Sequence, residues 1–444
     1  MTNPKNDMAI LLVVGLCMLI APAKANENLL TLEEAAEIAV ENNFSIQIAD
    51  RETEIAGYNY SRGNAGFFPT IGIRGNTNIE FDDTDQEFVD GSSIEEDMAR
   101  SRGIGTGLFF EYPLFTGFER SHHYRSLEHA LRATQQEEQE AIEQMLMQVS
   151  EAYYDVRRLQ KLVEVTEESI EISEDRVAIA ERRYEVGSAS RIEKLQARAD
   201  LNEERALLLE YEDNLSKRKV RLNELLAREP SEDFAVEETV EIRDMPGIEE
   251  QKQKVAENNP SLNARNQEKM MAEEEIGRQR AQRYPQVDFN MGYDYDWSSS
   301  EAGFVSSMQS HGWNAGVSLR MNLFDGFNIN RNIQNAQLFH EQTQLRAEEE
   351  EHRLKAELEE ARVEYENALT RLDLERENAE VVEENVEVAL EQYEQDMIIA
   401  VELREAQNTL LQSQARLHEM EFEAKVAESR LLKLTGSLEE ELVQ

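Results

Sequence analysis

Glu402 and Glu405 stand three residues apart beside a turn expected near residues 396–399. That spacing puts two side chains on one face of a helix. Carboxylates so placed attract cations, and gathering copies of the pair raises some of their pKa values through like-charge repulsion. The plainer reading is a solvated acidic helix. Other residue groups with chemical potential lead nowhere catalytic. His122 and His123 with His129 lack the three- or four-residue spacing of a helical ligand pair, and no carboxylate–histidine motif accompanies them. Gly103-x-Gly105-x-Gly107 is followed by neither a helix start nor a Lys-Ser/Thr pair, so it reads as a glycine-rich strand and not a phosphate loop. Cys17 is the one cysteine of the chain, and it falls in an expected leader. The mature chain then has no disulfide, thiol nucleophile or thiolate metal site. No enzyme, cofactor or metal is expected, and any energy must come from a partner.

The charge balance narrows the partners. With 91 acidic against 46 basic residues the formal net charge is -45, which argues against a nucleic-acid ligand. It suits a solvated surface, or a conduit whose wall favours cations. Residues 9–20 form an apolar run too short to span a bilayer, and Ala23-Lys24-Ala25 follows as a small-x-small cleavage site. Residues 1–25 therefore read as a signal peptide, and no later apolar run is long enough for a membrane helix.

The elements that must position Glu402 and Glu405 are written twice. Ala39-Val40-Glu41-Asn42-Asn43 returns in kind as Val255-Ala256-Glu257-Asn258-Asn259, and Leu114-Phe115-Thr116-Gly117-Phe118 returns as Leu323-Phe324-Asp325-Gly326-Phe327. The first repeat is expected over 26–229, with a helix, strands at about 69–81 and 103–115, a long helix at about 119–186 and a return helix at about 190–228. A linker covers 230–246. The second repeat, 247–436, has strands at about 286–297 and 312–324, a long helix at about 328–395 and a return helix at about 399–434, and residues 437–444 form a tail. Thr31 with Glu34 marks the first helix start as a capping box.

Each strand alternates. Ile71, Ile73, Ile79 and Phe81 oppose Arg74, Asn76, Asn78 and Glu80, while Val287, Phe289, Met291, Tyr293, Tyr295 and Trp297 oppose Asp288, Asn290, Asp294 and Asp296. Strands of this length and pattern fit a membrane barrel with the apolar face to lipid, and with Arg74, Glu80, Asp288, Asp294 and Arg320 to the lumen. Four strands are too few to close a barrel, so three copies sharing one are expected. The proline- and glycine-free run 119–186 would make a rod of roughly 100 Å. Ile142, Val149, Val156, Val163, Ile170, Val177 and Tyr184 recur every seven residues, with mostly small residues three places on. This suits helices packed side by side in a curved wall.

The chain resembles the TolC family of outer-membrane factors over essentially all of its mature length. The residues that carry the likeness are the duplication, Tyr112-Pro113-Leu114-Phe115-Thr116-Gly117-Phe118, Asn322-Leu323-Phe324-Asp325-Gly326-Phe327, Arg183-Tyr184-Glu185-Val186-Gly187, Tyr393-Glu394-Gln395-Asp396 and Glu405-Ala406-Gln407. The resemblance implies a mixed α/β membrane protein. Its homotrimer would form a twelve-stranded β-barrel, in outer-membrane lipid, continuous with a twelve-helix α-barrel reaching into the periplasm. It implies an exit duct for efflux or type I secretion, working with a periplasmic adaptor and an inner-membrane transporter. It also implies a periplasmic gate: Glu193 falls at the gate carboxylate, Tyr393 at the gate tyrosine, and Glu402 and Glu405 at two ring acids. Ile398 occupies the place of a gate arginine. Gly187, Ser188, Ala189, Asp396 and Met397 would form the hairpin tips, candidates for adaptor docking. A passive porin would be strand-rich throughout. A trimeric coiled-coil anchor would lack the paired turns and the duplicated sheet. The sequence does not name the cargo.

Overall fold

The computed structural model describes residues 29–302, 305–395 and 397–443. The expected leader, 1–25, and Asp396 lie outside the described residues. In chain order the elements are β1 (Leu29–Leu30), α1 (Leu32–Asn42), α2 (Phe44–Asn59), β2 (Thr70–Glu87), β3 (Ser93–Phe115), α3 (Glu119–Glu185) and α4 (Arg191–Leu225). They continue with β4 (Ala235–Val236), α5 (Ile248–Asn258), α6 (Pro260–Ala281), β5 (Gln286–Ser300), β6 (Ser307–Arg320), α7 (Asn328–Glu394), α8 (Ala400–Leu434) and α9 (Leu438–Leu442). No described helix is long and apolar enough to cross a membrane.

Local chemistry explains most boundaries. Thr31 Oγ1 accepts from the Glu34 amide at 3.1 Å, and Glu34 Oε2 accepts from the Thr31 amide at 3.2 Å, closing the expected capping box. The single helix expected from there to the first strand is instead two. Asn43 turns out of helical geometry, and its side chain accepts from the Ser45 amide at 2.8 Å to start α2. Asn259 repeats the device, with Pro260 at the first helical position, where its missing N–H costs nothing. The passage from sheet to long helix uses two successive left-handed residues in each copy, Gly117–Phe118 (φ 64° and 72°) and Gly326–Phe327 (φ 71° and 66°). A Cβ at Gly117 would sit 2.5 Å from the Ala281 carbonyl oxygen, so glycine is required there for space as well as for φ.

The four long strands form one antiparallel sheet in the order β2-β3-β5-β6, leaving β2 and β6 as its edges. Cross-strand register puts Ile73 opposite Leu108, Leu108 opposite Tyr293 and Tyr293 opposite Trp313, so the apolar residues share one face. That face is bare: Ile73 is 78%, Trp313 71% and Leu319 69% exposed. The other face carries Arg74, Asn76, Asp294, Asp296 and Asn314. A Cβ at Gly105 would meet Asn76 Oδ1 at 2.5 Å and Asp296 Oδ1 at 2.9 Å. The glycine-rich strand thus makes room for its neighbours' polar side chains.

Strand limits differ from those expected. The first hairpin continues through 82–87 and 93–101, which its acidic residues had marked as loop. Its backbone ladder persists past an irregularity at Asp82/Thr84, because charged side chains projecting into water do not oppose pairing. The last strand stops at Arg320, not near 324. Its partner Gln286 follows Pro285, which has no N–H to continue the ladder, and β6 has no further neighbour in this chain. The expected linker contains β4, which pairs in parallel with β1. Tyr153 clamps this pair, its hydroxyl donating to the Leu30 carbonyl at 3.0 Å and accepting from the Glu237 amide at 3.1 Å. The expected tail contains α9, whose Leu438 and Leu442 are buried in the largest core cluster with Leu146, Val149, Leu222 and Leu226.

Candidate functional site

The site is built where the two long hairpins end. Gly187 (φ 81°) turns α3 toward α4, and the Ser188 amide donates to the Arg183 carbonyl at 2.8 Å. Gly187 and Ser188 are exposed and Ala189 is half-buried. Ser190 Oγ accepts from the Glu193 amide at 3.2 Å, capping α4. In the second hairpin the Met397 amide donates to the Gln392 carbonyl at 2.9 Å, leaving the Met397 side chain exposed. Ile399 holds the cap position of α8. It has no side-chain acceptor, so only the reciprocal half of a capping box forms, from the Ile399 amide to Glu402 Oε2 at 3.1 Å.

Two of the sequence candidates come together. The Tyr393 hydroxyl of α7 donates to Glu193 Oε1 of α4 at 3.2 Å. The Tyr393 ring is fully buried, and the Arg183 guanidinium of α3 lies 5.2 Å from its centroid. Burial foremost, then the charge of Glu193, pushes the phenol pKa above its ordinary value. Tyr393 therefore remains a donor over any physiological pH. Val386, Ala389, Leu403 and Ala406 pack around it, joined by the half-buried Ile398. Ile398, which the resemblance sets in the place of a gate arginine, thus makes an apolar contact.

Behind this contact lies a polar junction that sequence reading missed. Arg176 of α3 is 2% exposed. It donates to Asp200 Oδ2 of α4 at 2.9 Å and to Gln407 Oε1 of α8 at 2.9 Å. Arg404 of α8 approaches the other oxygen of Asp200 at 3.9 Å. One buried guanidinium therefore ties the first hairpin to the second, and a cavity of about 410 Å³ lined by Arg176, Ile192, Glu193, Tyr393, Ile399 and Arg404 adjoins it. The only visible hint in the sequence is a charge between the small seam residues Ser173 and Ala180. In a chain this rich in Glu and Arg such a charge is unremarkable.

Glu402 and Glu405 are both exposed, with Leu403 and Ala406 buried behind them, as a shared helix face requires. Glu405 borders a groove between α4 and α8 with Asp200, Glu203 and Glu204. Burial raises the Glu204 pKa, opposed by the Ser173 hydroxyl that donates to it at 2.7 Å. The histidines take structural partners. His122 Nδ1 lies 2.7 Å from Glu274 Oε2, and His129 Nδ1 lies 2.9 Å from Gln267 Oε1.

A duplicated helical hairpin fused to a four-stranded sheet with a bare apolar face defines a membrane channel component, not a globular binding domain. The sequence profile of the outer membrane efflux protein family matches residues 35–228 and 252–437. The chain belongs to that family. Solved structures share the fold at low identity. The CmeC outer membrane channel of Campylobacter jejuni is 14% identical with a TM-score of 0.75, over 91% of this chain and 85% of that one. VceC from Vibrio cholerae is 16% identical with a TM-score of 0.71, over 91% and 96%. The open state of the Neisseria gonorrhoeae MtrE channel is 15% identical with a TM-score of 0.71, over 92% and 89%. The protein is a TolC-like outer-membrane transport channel, and proteins of its family serve efflux pumps together with adaptor and transporter partners.

Proposed function

We propose that three copies of this chain close a twelve-stranded barrel in the outer membrane and a long α-barrel beneath it in the periplasm. This would form the exit duct for cargo that an inner-membrane transporter and a periplasmic adaptor deliver. The observation that carries this reading is the sheet: four strands, two unpaired edges and one continuous exposed apolar face. Backbone groups in lipid have to be paired, so each β6 edge takes the β2 edge of the next copy. Detergent-extracted protein is expected to run as a trimer and to conduct in planar bilayers. A monomer, or a particle that stays non-conducting when the tip contacts are loosened, would overturn the reading.

The tips are the gate in this reading. Tyr393–Glu193 and the Arg176 junction hold the second hairpin against the first, and the Glu402 and Glu405 carboxylates of three copies ring the constriction. Such a ring makes the pore cation-selective and open to block by multivalent cations. Glu402→Gln with Glu405→Gln is the test, and unchanged selectivity and block would remove the ring. The exposed tip residues Gly187, Ser188 and Met397 offer the adaptor its docking points, and Asp396 and Ala189 flank them in sequence. Cargo choice, small molecule or secreted protein, rests with the transporter in this reading, and the gate adds a preference for charge.

A further inference from the structure

We propose that the junction between sheet and helices carries an arginine collar that binds the headgroups of anionic glycerophospholipids in the helix-side leaflet. The inference rests on the membrane-spanning reading above. Its first support is a local reversal of charge. In a chain with 91 acidic residues, residues 56–69 and 276–287 contain none, yet hold Arg62 and Arg278, Arg280 and Arg283. Arg120 and Arg331 join them at the starts of α3 and α7.

The second support is the pairing of these groups. Along the helices most cations meet carboxylates, as Arg353 does with Glu350 and Glu357. At the junction Arg280 and Arg283 are exposed and form no ion pair among the described residues. They belong to the α6 end between α3 and α7 and not to a sheet edge, whereas Arg62 and Arg331 stand beside the edges that a second copy would cover. Arg283 meets only a neutral partner, donating to Asn330 Oδ1 at 2.8 Å.

The third support is position. Phe115 pairs in register with Val287, on the apolar face of the sheet. Phe118 packs edge-on against Phe115 at 5.5 Å and lies 6.4 Å from Tyr284, while Phe324 and Phe327 repeat the contact at 5.4 Å. Phe118, Tyr284, Phe324 and Phe327 are all exposed, Phe324 by 77%. An exposed aromatic band at the lower end of the apolar face marks the membrane–water interface. Arg280 lies in the last turn of α6, four residues before Tyr284, and Arg283 directly precedes that ring in the chain. Arg120 lies on the same side, 5.2 Å from the Phe67 ring centroid and 5.9 Å from that of Tyr112. The exposed guanidinium groups of Arg280 and Arg283 thus lie within four residues of the aromatic band, at its helix side. Phosphodiester headgroups there supply the missing anions, with the planar two-point geometry that arginine favours.

The two tryptophans, Trp297 and Trp313, lie on the apolar face but seven or more residues up the strands from the junction. Both are therefore replaced by Phe, and Tyr284→Trp places the reporter in the aromatic band beside Arg283. The full-length protein is reconstituted in vesicles in which either phosphatidylglycerol or phosphatidylcholine carries brominated chains. Stronger quenching by brominated phosphatidylglycerol is expected, with a preference of roughly fivefold for each arginine that reaches the surface, shrinking in high salt. Arg280→Gln with Arg283→Gln should equalise the two lipids while leaving quenching by phosphatidylcholine intact. Equal quenching of the reporter with both arginines present, or a preference that survives their double substitution, would overturn the collar. Absence of quenching by either lipid would instead remove the membrane-spanning reading, and the collar with it.

Discussion

The two repeats agree where length controls register and differ where chemistry controls contact. α3 and α7 are 67 residues each and α4 and α8 are 35 each, and both pairs begin 209 positions apart. The starts of β2 and β5 lie 216 apart, so the seven-residue difference is absorbed in the strand hairpins. A hairpin lengthens by adding rungs that project into water. A long helix that gained residues would lose the alignment of its packing seam and displace its tip. At the tips the copies have diverged into complementary partners. Arg176, Asp200, Arg404 and Gln407 correspond by the same offset to Asn385, Thr409, Leu195 and Arg198, which cannot make the same junction in mirror image. The Arg176 junction therefore has no repeat-related counterpart. The duplication supplies two matching hairpins, and its loss of symmetry supplies the buried tie between them.

The sharpest way to break that comparison is Arg176→Met. It leaves Asp200 and Gln407 without their partner between hairpins, and removing one member of a buried charged pair costs about 3–5 kcal/mol. Faster amide exchange at both tips and a several-fold rise in conductance are expected, whereas the corresponding Asn385→Met should change neither. Unaltered exchange and conductance in Arg176→Met would show that the Arg176 junction does not hold the tips.

A pH series separates two carboxyls of the central core. Burial alone would raise the Glu421 pKa, but the His418 bond at 3.0 Å and the Arg157 guanidinium at 2.8 Å outweigh it and hold the group down at about 2. Glu421 thus contributes stability that is present above its ordinary pKa of about 4.5 and is lost as pH falls toward 2. Glu143 behaves oppositely. Burial foremost pushes it up to about 7 against the Glu439 and Leu438 amides that donate to it. The folded chain keeps this proton after the unfolded chain has lost it, so stability falls as pH rises from about 4.5 to 7 and levels off above. Denaturant unfolding of Glu421→Gln should lose the acid-side slope, on the order of 3 kcal/mol. Glu143→Gln should flatten the 4.5–7 window and be the more stable protein at neutral pH. A wild-type slope across that window persisting in Glu143→Gln would reject the assignment.

Tyr393→Phe removes the hydroxyl bonded to Glu193 and keeps the ring packing. A loss of about 1 kcal/mol in tip stability is expected, with a smaller conductance change than in Arg176→Met. The mildest test concerns the caps. Ser190→Ala should cost α4 about 1 kcal/mol, and Ile399→Ser should give α8 a similar gain by completing its capping box. Exchange protection of the first turn of each helix reads both changes.

Much of this was legible in residues. The alternation of Ile71 and Ile73 with Arg74 and Asn76 gave strands, and the absence of proline and glycine from 119–186 gave the rod. Tyr393 and Glu193 were visible only through family resemblance, yet they do meet. The extended first hairpin was hidden because Asp82, Asp83 and Asp85 read as loop, although solvated charges tolerate strand geometry. Asn43 and Asn259 were hidden as helix breaks because each sits inside an otherwise helical pattern.

The sequence by itself determined the periods: two for the strands, seven for the seams and about 210 for the whole. These repeat in one dimension and need no partner to be read. Only the tertiary structure decided which charges are buried together. Arg176 meets Asp200, 24 residues away, and Gln407, 231 residues away. Among dozens of similar charges on amphipathic helices, only packing selects the few that are withdrawn from water. That withdrawal makes an ordinary arginine the tie between two hairpins.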